Sequence, residues 1–195
     1  MLRTGLTLAS FLVLACASCS DDEPSTTPLP SESSSSSSPV EATSLVPSEL
    51  AEYTEEERSA YGEAVPAYDA FIERNDAFYA AGETTVDAKR FYQRNAIDWS
   101  TAWGNLGQVV NSGIKVTGTT ETKWTEPESI ELGDPAVGVV VIHRCLDESG
   151  RVVTQNGEAI EQPQFADPHV YTIRLEKRAG EDHWRSGIAE QGPTC

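Results

Sequence analysis

The sequence is short of cations. Only 14 Lys and Arg stand against 31 Asp and Glu among 195 residues, a formal net charge of −17. Nucleic acid and anionic bilayer surfaces are recognised through clustered Lys and Arg. No such cluster occurs, so nucleic acid is excluded as a partner. The acidity fits solubility in an exposed compartment. Cysteine is also scarce, at positions 16, 19, 145 and 195. Neither Cys145 nor Cys195 belongs to a Cys-x-x-Cys or paired-His spacing, which argues against zinc there. Phosphate-loop, calcium-loop and nucleophile-elbow patterns are missing as well. The reading therefore assigns no metal ligand, no cofactor and no catalytic residue.

What is present begins with an export signal. Arg3 supplies the positive n-region, and Leu6 to Ala15 is an apolar run well short of the ~20 residues a membrane span needs. It leads into Leu12-Val-Leu-Ala-Cys16. This resembles the bacterial lipobox, in which the cysteine is acylated and becomes the new N-terminus. Cys16 is the expected lipidation site, with Cys19 as the alternative. Residues 1–15 are then the lipoprotein signal peptide. Residues 16–48, rich in Ser, Pro, Thr and acidic side chains, are a disordered tether. Such a composition buries too little apolar surface to offset its ordering entropy, and its reach is ~30 Å. The chain is expected to sit lipid-anchored on the outer face of the cell membrane.

From residue 49 to 195 the pattern is that of one folded α+β domain. Thr54-Glu-Glu-Glu57 is a capping box. Behind it Tyr61, Ala64, Val65, Tyr68, Phe71, Ile72, Phe78 and Tyr79 recur at helical spacing to Gly82, with Pro66 expected to kink or divide the helix. Thr85 opens a second helix holding Phe91 and Tyr92. A third, from about Ile97 to Val110, carries Trp99 and Trp103 on one face. These tryptophans either pack on a sheet or line a pocket.

Past Gly113 the period shortens to that of strands. Ile114 to Trp124 reads as one strand with a bulge at Gly118, and Glu128 to Leu132 as a short one. Val137 to Cys145 is the most β-prone run and reads as the central strand, closed by a corner at Asp147-Glu-Ser-Gly150. A loop is expected through Gly157 and Pro163. His169 to Glu176 alternates, with His169, Tyr171, Ile173 and Leu175 on one buried face, and His183 to Glu190 returns as the last strand. In an oxidising compartment, Cys145 and the terminal Cys195 are the expected disulfide.

Residues 50–195, with Cys145-Leu-Asp147, the Trp184 strand and Gly192-Pro-Thr-Cys195, resemble Gram-positive bacterial lipoproteins of the nuclear transport factor 2-like (SnoaL-like, cystatin-like) superfamily. The resemblance implies helices packed on a curved antiparallel sheet as a cone-shaped roll. It also implies that Tyr92, Asp98, His143 and His169 are the groups to weigh for acid–base work in the cone. Three readings follow. The first is a non-catalytic, membrane-anchored head that binds an envelope protein partner or supports an envelope assembly. The second is a carrier of a small apolar ligand in a cone bounded by Trp99, Trp103, Tyr171 and the central strand. The third is a SnoaL-like isomerase or dehydratase.

Overall fold

Each of the three α-helices starts on a side-chain cap, which is why the sequence breaks where it does. The computed structural model describes residues 48–133, 137–162 and 165–195. The export signal, Cys16, Cys19 and the tether up to residue 47 lie outside the described residues. Thr54 Oγ1 accepts from Glu57 N at 3.3 Å, and the Glu57 carboxylate accepts from Thr54 N at 2.7 Å. Helix α1 then runs Glu55–Ala81, with three glutamates in its first turn against the positive end of the helix dipole. It stops at Gly82, whose left-handed backbone lets its N–H donate to Phe78 O. Pro66 does not divide α1. Pro66 and Gly62, four residues earlier, both lie on the exposed face; there water can satisfy the freed carbonyl and no side chain crowds the ring. Thr85 caps α2 (Val86–Asn95) by accepting from Ala88 N, and Asp98 caps α3 (Trp99–Asn111) by accepting from Thr101 N.

The strand half is antiparallel and organised by one long ribbon. Strands β1 (Ile114–Gly118) and β2 (Glu121–Gly133) form one arm; β3 (Val137–Asp147) and β4 (Arg151–Gln155) form the other. Pairing runs from Gly133↔Val137 to Ile114↔Gln155. Besides two register shifts within β2, it breaks where residues 119–120 lie opposite 148–150. Two residues against three force a bend, so the expected corner at Asp147–Gly150 is there, and the chain continues around it. Gly118 has φ 89°, and a Cβ at this position would stand 2.1 Å from Gly150 O. Only glycine fits the corner.

The bend separates a three-stranded sheet, β1-β4-β5, from a five-stranded one. Strand β5 (Glu158–Ile160) pairs with β4 through a turn at Asn156 and Gly157, both left-handed, with φ 53° and 91°. The expected loop is thus in part a hairpin with the turn chemistry of Asn-Gly. In the larger sheet the order is β2-β3-β6-β7, with β6 at His169–Lys177 and β7 at Arg185–Ser186. The expected last strand, His183 to Glu190, is broken: β8 (Glu190–Thr194) pairs separately with β6 beyond Gly187–Ala189. β2 is the long edge strand, interrupted by two register shifts and by Pro127.

Strand parity places the core. Val140 and Ile142 of β3 and Ile173 and Leu175 of β6 are buried with Ala60, Ala64 and Tyr68 of α1, together with Ile130 and Trp184. The alanines let α1 approach closely, and each fully buried Ile or Leu contributes about 1.5–3 kcal/mol. A second cluster lies among the helices: Phe78, Ala88, Tyr92, Ala96 and Leu106, joined by Phe71, Phe91, Trp99 and Trp103. On the other face of β3, Cys145 is bonded to Cys195 across 50 residues, with the Cα atoms 6.2 Å apart. The expected staple is present, and it fastens β8 to the central strand.

Candidate functional site

The parity that buries Val140 and Ile142 carries Arg144 to the same side, opposite Tyr171 on β6. Arg144 is only 6% exposed, so its charge has to be answered locally. Its Nη1 donates to Asp69 Oδ1 of α1 at 2.6 Å and its Nε to Thr125 Oγ1 at 2.9 Å. The guanidinium also lies over the Tyr68 ring, 5.1 Å from its centroid.

The corner supplies the rest. Glu148, 8% exposed, accepts from Arg151 Nη1 at 2.8 Å and from the Tyr171 phenol. Arg151 Nη2 donates to Asp76 Oδ1 of α1 at 2.6 Å. Burial, reinforced by the Glu148 carboxylate, pushes the Tyr171 phenol well above its ordinary value, so it stays a protonated donor. Burial raises Tyr68 likewise, against the opposing pull of Arg144. Helical spacing puts Asp69, Glu73 and Asp76 in one row along α1. These groups border a cleft of about 370 Å³ between α1 and the bend. Thr120, in the two-residue side of the corner, lines it too, and its hydroxyl oxygen is buried with no hydrogen-bond partner among the described residues. A smaller cavity of about 230 Å³ continues between α1, α3 and residues 186–189, sharing Tyr68, Ile72, Asn75 and Ala189 with the first. The arrangement is a set of fixed hydrogen-bonding groups around a space, which is a binding geometry.

Of the seven expected pocket residues, Tyr171 alone lines the corner cleft. Tyr92 is buried among the helices and donates to Asn75 Oδ1 at 2.8 Å. Asp98 lines the smaller cavity, but its carboxylate is committed to Thr101 and Ser100 as the α3 cap, which lowers its pKa. Trp99 and Trp103 pack against the helical cluster instead of meeting Tyr171. The apolar cone they were expected to bound is therefore not assembled from these residues. His143 points away from α1, because odd positions of β3 face outward, and its Nε2 lies 3.1 Å from Glu128 Oε2. His169 sits at the start of β6 with Nδ1 2.8 Å from Asp167 O. The overlooked residues are Arg144, Glu148, Arg151 and the acidic row of α1. One signal for them was visible in the sequence: Arg144 is a charge at a core-facing position of the most apolar strand.

No protein family matches the sequence, and no curated protein does. Among solved structures, the intermembrane space region of the chloroplast protein ARC6 is similar at TM-score 0.36 and 8% identity, over 73% of this chain and 100% of that one.

Proposed function

We propose that the chain is an extracytoplasmic lipoprotein, acylated at Cys16 and carried on a Ser/Pro-rich tether. Its folded head is non-catalytic and docks an envelope protein. The observation that carries this reading is the close packing of α1 on β3 and β6, with the two cavities that Tyr68 borders lying beside it toward the bend and α3. Tyr68, Ile130, Ile142, Ile173, Leu175 and Trp184 occupy the space between α1 and the sheet, where a SnoaL-like enzyme or apolar-ligand carrier needs a cavity. Leu12-Val-Leu-Ala-Cys16 supports the anchor. The Cys145–Cys195 bond suits an oxidising compartment. Two acyl chains make anchoring stable where one is marginal.

The test has two parts. Cells fed an alkyne fatty acid should label the protein, and Cys16→Ala should abolish both the label and its recovery with membranes. Photo-crosslinking residues placed singly over the exposed head should then yield one discrete adduct from a contiguous patch. Label retained in Cys16→Ala but lost in Cys19→Ala would move the anchor to Cys19, absence of label from the parent protein would refute the anchor, and no adduct from any position would refute the docking role.

A further inference from the structure

We infer that the cavity between α1, α3 and residues 186–189 binds a small, uncharged carboxamide carried on an apolar ring, a role that stands apart from partner docking. Helical spacing builds the wall. Tyr68, Ile72, Asn75 and Tyr79 recur at steps of four, three and four residues, so one stripe of α1 lines the cavity. Three of the four carry polar side chains at buried or half-buried positions. Phe71 and Ala102, with Ile188 and Ala189 from the chain between β7 and β8, supply the apolar surface. The volume is about 230 Å³. An apolar cavity of about 150 Å³ holds benzene, so this one has room for a single ring with a substituent.

The second observation is a set of unanswered hydrogen-bonding groups. Tyr68 is only 2% exposed, yet its hydroxyl has no hydrogen-bond partner among the described residues. Nor is it sealed in protein, since among those residues Thr120 Oγ1 is the only unpartnered side-chain atom closed off from solvent. The little surface that Tyr68 keeps therefore includes its hydroxyl, which opens on the cavities the residue borders. Asn75 is held by its carbonyl, which accepts from Tyr92 Oη at 2.8 Å. Its amide N–H groups are left over, and they too are unsealed. Burial keeps the phenols of Tyr68 and Tyr79 protonated, so both can donate. Polar groups left unanswered in a buried wall call for an occupant of the space they face.

Charge narrows the class. Among the described residues no Lys, Arg or His lines this cavity, and its one carboxylate, Asp98, is committed to the α3 cap. Neither an anion nor a cation finds a free counter-charge there. A carboxamide offers a carbonyl oxygen to the Asn75 and tyrosine donors, and N–H groups to the phenol oxygens and to Asn105 at the mouth. It brings no charge to desolvate.

Benzamide, benzoate and benzamidinium share one shape and differ in charge, so together they test the class. Oxidised full-length protein is titrated with each and followed by backbone amide NMR shifts. Saturable one-to-one binding of benzamide is expected, with shifts along α1, α3 and residues 186–189, and with both ions at least about tenfold weaker. Tyr68→Phe removes a hydroxyl that has no partner and keeps the ring beneath the Arg144 guanidinium. It should therefore keep the parent's melting temperature while weakening benzamide about three- to tenfold, the range for one uncharged hydrogen bond. Ala102→Leu fills the cavity instead of emptying it and should abolish saturation. Melting curves of both variants separate lost binding from lost fold. Three results each overturn the inference: no saturable shift with benzamide, either ion bound as tightly as the amide, or affinity unchanged in both variants.

Discussion

Replacing Cys195 with Ala tests the staple with little collateral damage. Cys195 is exposed and Cys145 is buried, so truncation at the terminal end removes the cross-link without opening a cavity in the sheet. The bond spans 50 residues. Closing a loop of that size lowers the entropy of the unfolded chain by an amount worth about 4 kcal/mol. For a domain of this size 1 kcal/mol moves Tm by roughly 2–4 °C, so the loss is about 8–16 °C. One feature pulls the value toward the lower end. All five residues of β8 are exposed, and it is held to β6 by three register pairs and by Cys195 N donating to Pro168 O. Once uncoupled, β8 can fray without the rest of the sheet. Two assays read this. Thermal melts by circular dichroism, with and without reductant, give the global shift. Amide exchange gives the local one: residues 190–194 speed up on reduction, while Val140–Arg144 change no more than global stability dictates. Superimposable melts in oxidising and reducing buffer would refute the argument, and so would equal acceleration throughout β3.

Two further outcomes follow from close packing and from charge. A Cβ at Gly138 would stand 2.8 Å from Trp184 Cη2; Gly138→Ala should lower stability by about 1–3 kcal/mol in urea titrations, with tryptophan emission shifted as the indole moves. Hydrogen bonds from Ser149, then the charge of Lys123, lower the Asp147 carboxyl from 3.8 to about 2. The folded form thus holds that proton less tightly than the unfolded chain. Its contribution to stability is complete above the unfolded value of 3.8 and is lost as pH falls toward 2. Ser149→Ala should raise the pKa of Asp147, read by carbon-13 shifts, and narrow that acid window.

Much of the fold was legible because its signals are local. Thr54-Glu-Glu-Glu57, Thr85 and Gly82 mark helix ends through hydrogen bonds within four residues. The alternation of β6 follows from its buried Ile173 and Leu175. The Asn156-Gly157 turn was passed over inside the expected loop, although Asn-Gly is the dipeptide that tolerates the two left-handed residues of a tight hairpin. The broken last strand was not legible, because Gly187 N donates to Arg174 O at 2.7 Å across the sheet and nothing near Gly187 in sequence foretells that partner. The site lay further out of reach. Arg144 meets Asp69 and Arg151 meets Asp76, each across 75 residues, so the pairings depend on how α1 crosses the bend. Trp99 and Trp103 misled for a related reason: a shared helical face fixes direction, while the neighbouring helices decide what that face meets.

The interrupted edge of β2 bears on how anything can approach this protein. A long unbroken edge offers a row of backbone groups to which another chain can add as a further strand, whatever its side chains. In β2 Pro127 removes a donor, two register shifts turn the backbone out of line, and Tyr61 Oη sits 3.5 Å from Thr125 O. Glutamates and Lys123 project along its length. Strand addition is thereby discouraged, and with it both the stacking of one copy on the next and promiscuous capture of extended peptides. Recognition at this edge is left to side chains, which discriminate by sequence.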